Sequence, residues 1–341
     1  MFKNYYCYIL IIPVFFMSML MIFLSTSWFS LWLVMEINLI LFISLIIFDK
    51  MIKFENLMMY YLVQSLNSYL YLLFSMLDMS TFSENMQNLI FIFLNFSMLM
   101  KMGFPPFIQW YIKLMNNLNW MNIFILSIIQ KIIPLYILMS INYLINEYCY
   151  RLILLLLILS MFYSCVSSLS QINLKLIMSY SSVIQMSWII NLLYINEMMM
   201  IIYFLVYSLI SLQMFFMFMY FDINNLNDLF NLKLTKTFNY LFLMFSIMSL
   251  GGLPPMSGFV MKWISIQSLF NLNSFFYLFF MILVSLISLF FYLRIIFPLY
   301  LFSSNSKKLN WKFINLNFTF PILFIIFSWF MYILLFYYEI L

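Results

Sequence analysis

Four ionisable residues sit deep inside apolar stretches of this 341-residue chain: Glu36, Lys101, Lys131 and Lys262. Burying a charge at the middle of a membrane costs ~2.5–3.5 kcal/mol on insertion scales, so such groups face a protein interior or a wet path rather than lipid. For any one of them, a structural ion pair or a lysine reaching for the membrane surface is the plain alternative. All four together point to proton relay. Lysine suits that task because burial disfavours the ammonium and a nearby carboxylate favours it, so a carboxylate that approaches or withdraws loads or unloads the amine. Arginine keeps its proton in proteins and cannot do this. Glu36 and Lys101 form the expected pair. Lys131, beside Gln130 and three residues before Pro134, is the expected central station. Lys262 is expected as the last stop, toward the far end of its helix and away from the side of the N-terminus.

The segments that hold two of these lysines are interrupted. Gly251-Gly252-Leu253-Pro254-Pro255-Met256-Ser257-Gly258 contains three of the chain's four glycines, and Lys262 follows it. The remaining glycine lies in Lys101-Met102-Gly103-Phe104-Pro105-Pro106-Phe107. Proline has no N–H and clashes with the carbonyl four residues earlier. Pro105 therefore frees the carbonyl of Lys101, and Pro254 and Pro255 free those of Leu250 and Gly251. In a bilayer such a break survives only where protein or a wet cavity satisfies the freed groups. Two broken membrane helices in corresponding positions are the mark of an inverted-repeat transporter.

Composition makes the chain an integral membrane protein: 67% of its residues are hydrophobic and 7% charged, against about 45–50% and about 25% in soluble domains. Alanine is absent, and Phe (43) and Met (32) are abundant. Small residues are normally common where membrane helices meet, so packing does not explain their loss. An extremely AT-rich genome does, and an animal mitochondrial genome fits. The N-terminus shows neither a transit peptide nor a cleavage site, as expected for synthesis inside the organelle.

At ~20 residues per span, the apolar runs predict about eleven transmembrane helices in an all-α membrane fold. They fall near 6–25, 28–48, 57–77, 88–112, 119–144, 150–170, 176–195, 198–220, 237–268, 274–298 and 317–338. Of the 15 Lys and Arg, three lie inside spans, and eleven of the others fall on the side of the N-terminus, with Arg151 alone opposite. The positive-inside rule then puts the N-terminus on the matrix side and the C-terminus on the intermembrane-space side of the mitochondrial inner membrane. The spans group into two inverted five-helix repeats, residues 1–146 (broken near 101–107) and 147–300 (broken near 251–258). Residues 301–341 supply a loop and a flanking C-terminal helix.

Redox and metal chemistry find no support here. Histidine is absent, and Cys7, Cys149 and Cys165 are scattered, whereas haem, iron–sulfur and zinc sites need paired or clustered ligands. No Gly-rich nucleotide loop is present, and the basic balance reflects loop bias rather than nucleic-acid binding. Among uncharged groups, Ser181, Ser182 and Gln185, with Tyr180 beside them, share a face of the seventh span, and Ser164, Ser167 and Ser168 one of the sixth. They can order water, although hydrogen bonding between helices is the commoner role. Lys175 reads as a loop charge that can also serve matrix-side proton uptake.

The Lys101–Phe107 run, Lys175-Leu-Ile-Met-Ser-Tyr-Ser-Ser, and Gly251 through Lys262-Trp263 together resemble the antiporter-like membrane subunits of respiratory complex I. Eleven spans in place of fourteen resemble the shortened mitochondrial members in animals, insects in particular. The resemblance implies that Glu36 tunes Lys101, that Lys131 is the central relay lysine and Lys262 the terminal one. It implies Gly251, Gly252, Pro105, Pro106, Pro254 and Pro255 as the helix breakers. It implies no cofactor on this chain, with NAD, FMN, iron–sulfur clusters and ubiquinone held by other subunits. The implied partners are the other membrane-arm subunits, neighbouring antiporter-like chains among them, and lipid. Where many members carry a His, Gln185 stands near that place, and Gln is not a protonation site. A free-standing cation/proton antiporter and a purely structural membrane subunit are the rival readings.

Overall fold

The structure is a computed structural model and describes residues 2–47, 53–77, 83–144, 146–231, 237–254, 256–271 and 275–305. These residues are almost entirely helical: α1 (Phe2–Leu24), α2 (Trp28–Ile47), α3 (Phe54–Ser75), α4 (Glu84–Met102), α5 (Ile108–Asn117), α6 (Trp120–Phe124), α7 (Gln130–Ile141), α8 (Glu147–Leu169), α9 (Leu174–Ile195), α10 (Glu197–Tyr220), α11 (Thr237–Gly251), α12 (Ser257–Asn271) and α13 (Phe275–Asn305). A π turn, Ile125–Ile129, joins α6 to α7. Among the described residues, six helical stretches are long and apolar enough to cross a membrane. The helices lie over the first ten expected spans. The eleventh, 317–338, with residues 306–316 before it, lies outside the described residues, as does Pro255.

Local chemistry starts and stops these helices. The Asn173 side chain accepts from the Lys175 N–H at 3.0 Å to open α9, and that of Asn196 accepts from Met198 and Met199 to open α10. Both are N-caps satisfying donors that have no partner within the helix. The breaks end in a way that proline alone does not explain. Gly103 takes φ 82°, its N–H reaches the Met100 carbonyl, and the Phe104 N–H reaches that of Leu99, both at 3.1 Å. Gly252, φ 76°, repeats the pattern on Ser249 while Leu253 bonds Met248. These are Schellman ends, in which a left-handed residue reverses the chain and an apolar residue follows. Glycine therefore terminates α4 and α11, and the prolines come just after, where they prevent the helix from resuming. The Pro105–Pro106 bond is cis.

The chain divides into two compact units, Met1–Ser160 and Met161–Leu341. In the first, α3 packs on α2, α4 and α5, and α7 packs on α4 and α1. In the second, α9 is buried nearly all round. It packs against α10 and α12, with α11 and α13 completing the group. Outward faces are apolar, for example Leu20, Phe23, Leu66, Leu159, Phe162, Leu286 and Phe290, the surface a membrane helix presents to lipid. Arg294 of α13 closes an exposed helix end. Its guanidinium donates to the carbonyls of Ser168, Leu169 and Gln171, where α8 finishes, and a cation there also opposes the negative pole of the helix.

Candidate functional site

In the first unit the site is built where α4 stops. Lys101 is the penultimate residue of α4 and is buried, 9% exposed. Its carbonyl, the one that Pro105 leaves without a helical donor, accepts from Gln64 Nε2 of α3 at 3.0 Å. Its amine meets the Met35 sulfur at 3.1 Å. The Glu36 carboxylate accepts from the Ser68 hydroxyl and lies within Coulombic reach of Lys101, without an ion-pair contact between them. Lys131, 2% exposed, lies two residues past the end of the π turn. Such turns rotate the next side chains off the regular helical register and often mark functional positions. Its ammonium stands 4.9 Å from the centre of the Tyr111 ring, close enough for a cation–π contact.

Lys101 and Lys131 line one cavity of about 30 Å³, walled also by Asn38, Tyr60, Gln64, Trp110, Tyr111 and Gln130. A polar cavity needs about 10–15 Å³ to hold a water molecule, so this one has room for water beside the two lysines. Asn38 donates to Gln130 at 2.8 Å. The Asn38 carbonyl oxygen and the Gln130 amide nitrogen, both buried, have no partner in the protein. Those two atoms supply the acceptor and donor that a cavity water requires.

The second unit treats its break by the same logic. The carbonyl of Leu250 accepts from Gln185 Nε2 at 3.1 Å, and that of Gly251 accepts from Lys262 Nζ at 2.8 Å. These are the two carbonyls that Pro254 and Pro255 leave without helical donors. Gln185 also accepts from the Tyr203 hydroxyl at 2.8 Å. Lys262 differs from expectation. It is the sixth residue of α12, its amine folds back to the break, and the side chain passes so close to Gly252 that a Cβ there would lie 2.9 Å from its Cδ. The left-handed glycine is what lets the amine reach the carbonyl.

The other expected residues fall as follows. Ser181 and Ser182 are buried and donate back to their own helix, to Met178 and Ser179, and Ser164 and Ser168 do likewise in α8. Gln185 crosses to α11, where it holds the Leu250 carbonyl. Tyr180 is buried, and Lys175 is half-buried in the first turn of α9. Reading the chain missed Gln64, Ser68, Asn38 and Tyr111. Polar residues recurring at helical spacing along α3 are the signal that would have found the first two.

The fold is that of an all-helical membrane protein built on broken helices. It superposes on a chain of respiratory complex I from Thermus thermophilus with a TM-score of 0.74, at 18% identity, over 83% of this chain and 68% of that one. Residues 25–288 match the NADH:quinone oxidoreductase/Mrp antiporter transmembrane family, and the chain belongs to that family. Among curated relatives, NADH-ubiquinone oxidoreductase chain 2 of Anopheles gambiae is 32% identical over 296 residues, 85% of this chain and 84% of that one. The protein of the same name from Locusta migratoria is 31% identical over 304 residues, 88% and 87% of the two chains. Both relatives come from insects, in agreement with the source expected from composition and motifs.

Proposed function

We propose that this chain is a proton-translocating membrane-arm subunit of respiratory complex I in the mitochondrial inner membrane. Glu36, Lys101, Lys131 and Lys262 pass protons along a buried axis. The chain carries no redox group; NAD, FMN, iron–sulfur clusters and ubiquinone belong to other subunits, and quinone reduction there drives the charge movement here. Its neighbours are other membrane-arm subunits, antiporter-like chains among them, and lipid. The N-terminus faces the matrix and the C-terminus the intermembrane space. The two five-helix halves, 1–146 and 147–300, are inverted repeats that each hold one lysine at a helix break.

One observation carries this reading most directly. Lys101 and Lys131 share a polar cavity beside an interrupted helix. Two lysines tied up in structural ion pairs would have no need of it. Lys101→Ala or Glu36→Gln in the assembled complex is expected to cut proton pumping per electron, measured in reconstituted vesicles. Lys101→Arg should not rescue it, because arginine keeps its proton. Normal stoichiometry in the alanine variant would favour the structural reading. Exchange activity retained by the isolated chain would favour a free-standing antiporter.

A further inference from the structure

Helix α3 turns a polar stripe into the first unit: Gln64, Asn67, Ser68 and Tyr71 are all buried, and Ser75 continues the stripe half-buried. This is the spacing of one helical face. Gln64 and Ser68 are already accounted for, one holding the Lys101 carbonyl and the other the Glu36 carboxylate. Asn67 and Tyr71 are not. Both are 0% exposed, yet neither amide atom of Asn67 nor the Tyr71 hydroxyl has a hydrogen-bond partner in the protein. An unpaired buried polar group costs about 1–3 kcal/mol, and an apolar side chain would fill the same space without that penalty. Ordered water is the usual partner of such groups.

The stripe also has a direction. Along α2 and α3, Glu36 meets Ser68, Trp32 packs on Tyr69 at 6.1 Å between ring centres, and Trp28 packs on Tyr71 at 6.4 Å. Moving from Ser68 to Tyr71 therefore means moving from Glu36 toward Trp28, the first residue of α2. Tryptophan favours the membrane–water interface. From Ser68 to Ser75 the rise is about 10 Å at 1.5 Å per residue, a gap that about three waters cover at hydrogen-bond spacing of ~2.8 Å. Trp32 Nε1, a further buried donor without a partner, lies on the same side of α2.

We infer that Asn67 and Tyr71 hold a file of water joining the Glu36 carboxylate to the membrane face where α2 begins and α3 ends, and that Glu36 exchanges its proton with the aqueous phase there. A proton leaving the Glu36 carboxyl for the adjacent water displaces one from the last water of the file; no electrons move and no group is transferred. This rests on the relay reading, and under the orientation proposed above that face is the intermembrane-space side. Asn67 and Tyr71 are positioning residues, acting through water.

The test uses the assembled complex with Asn67→Leu, Tyr71→Phe and Asn67→Ser, and Lys101→Ala as control. Readouts are protons pumped per electron and the solvent deuterium isotope effect on coupled turnover. Asn67→Leu and Tyr71→Phe are expected to lower pumping at least threefold and to change the isotope effect. Asn67→Ser, which keeps a hydroxyl and makes room for water, should restore at least half. Should Asn67→Leu fail to assemble, Tyr71→Phe and a high-resolution map of the unmodified complex decide, with water density between Asn67 and Glu36 expected. Loss of pumping in Lys101→Ala with wild-type pumping and isotope effect in Tyr71→Phe and Asn67→Leu, or a dry map there, overturns the water file alone. Normal pumping in Lys101→Ala overturns the relay itself.

Discussion

Gly258 has less room than any other described glycine: a Cβ there would lie 1.8 Å from the Ser249 carbonyl oxygen, a backbone atom that cannot swing aside. Gly251 is its opposite, since an added Cβ would meet the Tyr292 ring at an ordinary 3.6 Å. Gly258→Ala is therefore expected to abolish accumulation of the assembled complex, and Gly251→Ala to leave it near wild type, as read on native gels. Gly252→Ala falls between them. The left-handed backbone costs about 1–2 kcal/mol for any residue with a Cβ, and the new methyl group would crowd the Lys262 amine away from the Gly251 carbonyl. Its signature should be impaired pumping in a complex that still assembles.

Helix ends are where polar side chains are used most tightly in this protein. Gln64 and Gln185 each take a carbonyl that a broken helix cannot satisfy. Replacing Gln64 with Leu strands the Lys101 carbonyl, at about 1–3 kcal/mol, and should lower the thermal stability of the assembled complex while loosening the lysine it anchors. Arg294 does comparable work at the end of α8. Arg294→Lys keeps the charge but loses the planar fork, so amide hydrogen exchange at residues 168–171 should rise, and rise further in Arg294→Met. The sequence marked the breaks themselves because Gly-Phe-Pro-Pro and Gly-Leu-Pro-Pro are local signals, and the carbonyls that needed partners followed from proline geometry. Which residue would meet them did not follow. Gln64 and Lys101 are 37 positions apart, and whether they touch depends on how α3 is rotated against α4. The back-folded Lys262 was hidden for a related reason, since counting residues from a proline does not tell which way a long side chain turns.

Taken whole, the chain shows its membrane character in every segment, because the need for long apolar helices applies along its length. Orientation rests on the distribution of lysines in the loops, and it makes a direct prediction. In mitochondria stripped of their outer membrane, a membrane-impermeant thiol reagent should label Asn146→Cys, at the start of α8, and leave Asn224→Cys, after α10, unlabelled. The reverse pattern would invert the topology. The three buried lysines and the half-buried Glu36 were also visible in advance, because each breaks an apolar run. The cavity that Lys101 and Lys131 share was not, since it needs α2, α3, α4 and α7 to converge.

The crowding around the glycines bears on how the gene can change. The chain holds no alanine, yet it has kept four glycines. At Gly103 and Gly258 an added Cβ would lie 2.8 Å from the Tyr111 Cβ and 1.8 Å from the Ser249 carbonyl oxygen, and at Gly252 it would crowd Lys262 on a left-handed backbone, so steric demand holds glycine there against any compositional pressure. Gly251 is under no such constraint, and it is the position at which further drift in this gene has somewhere to go.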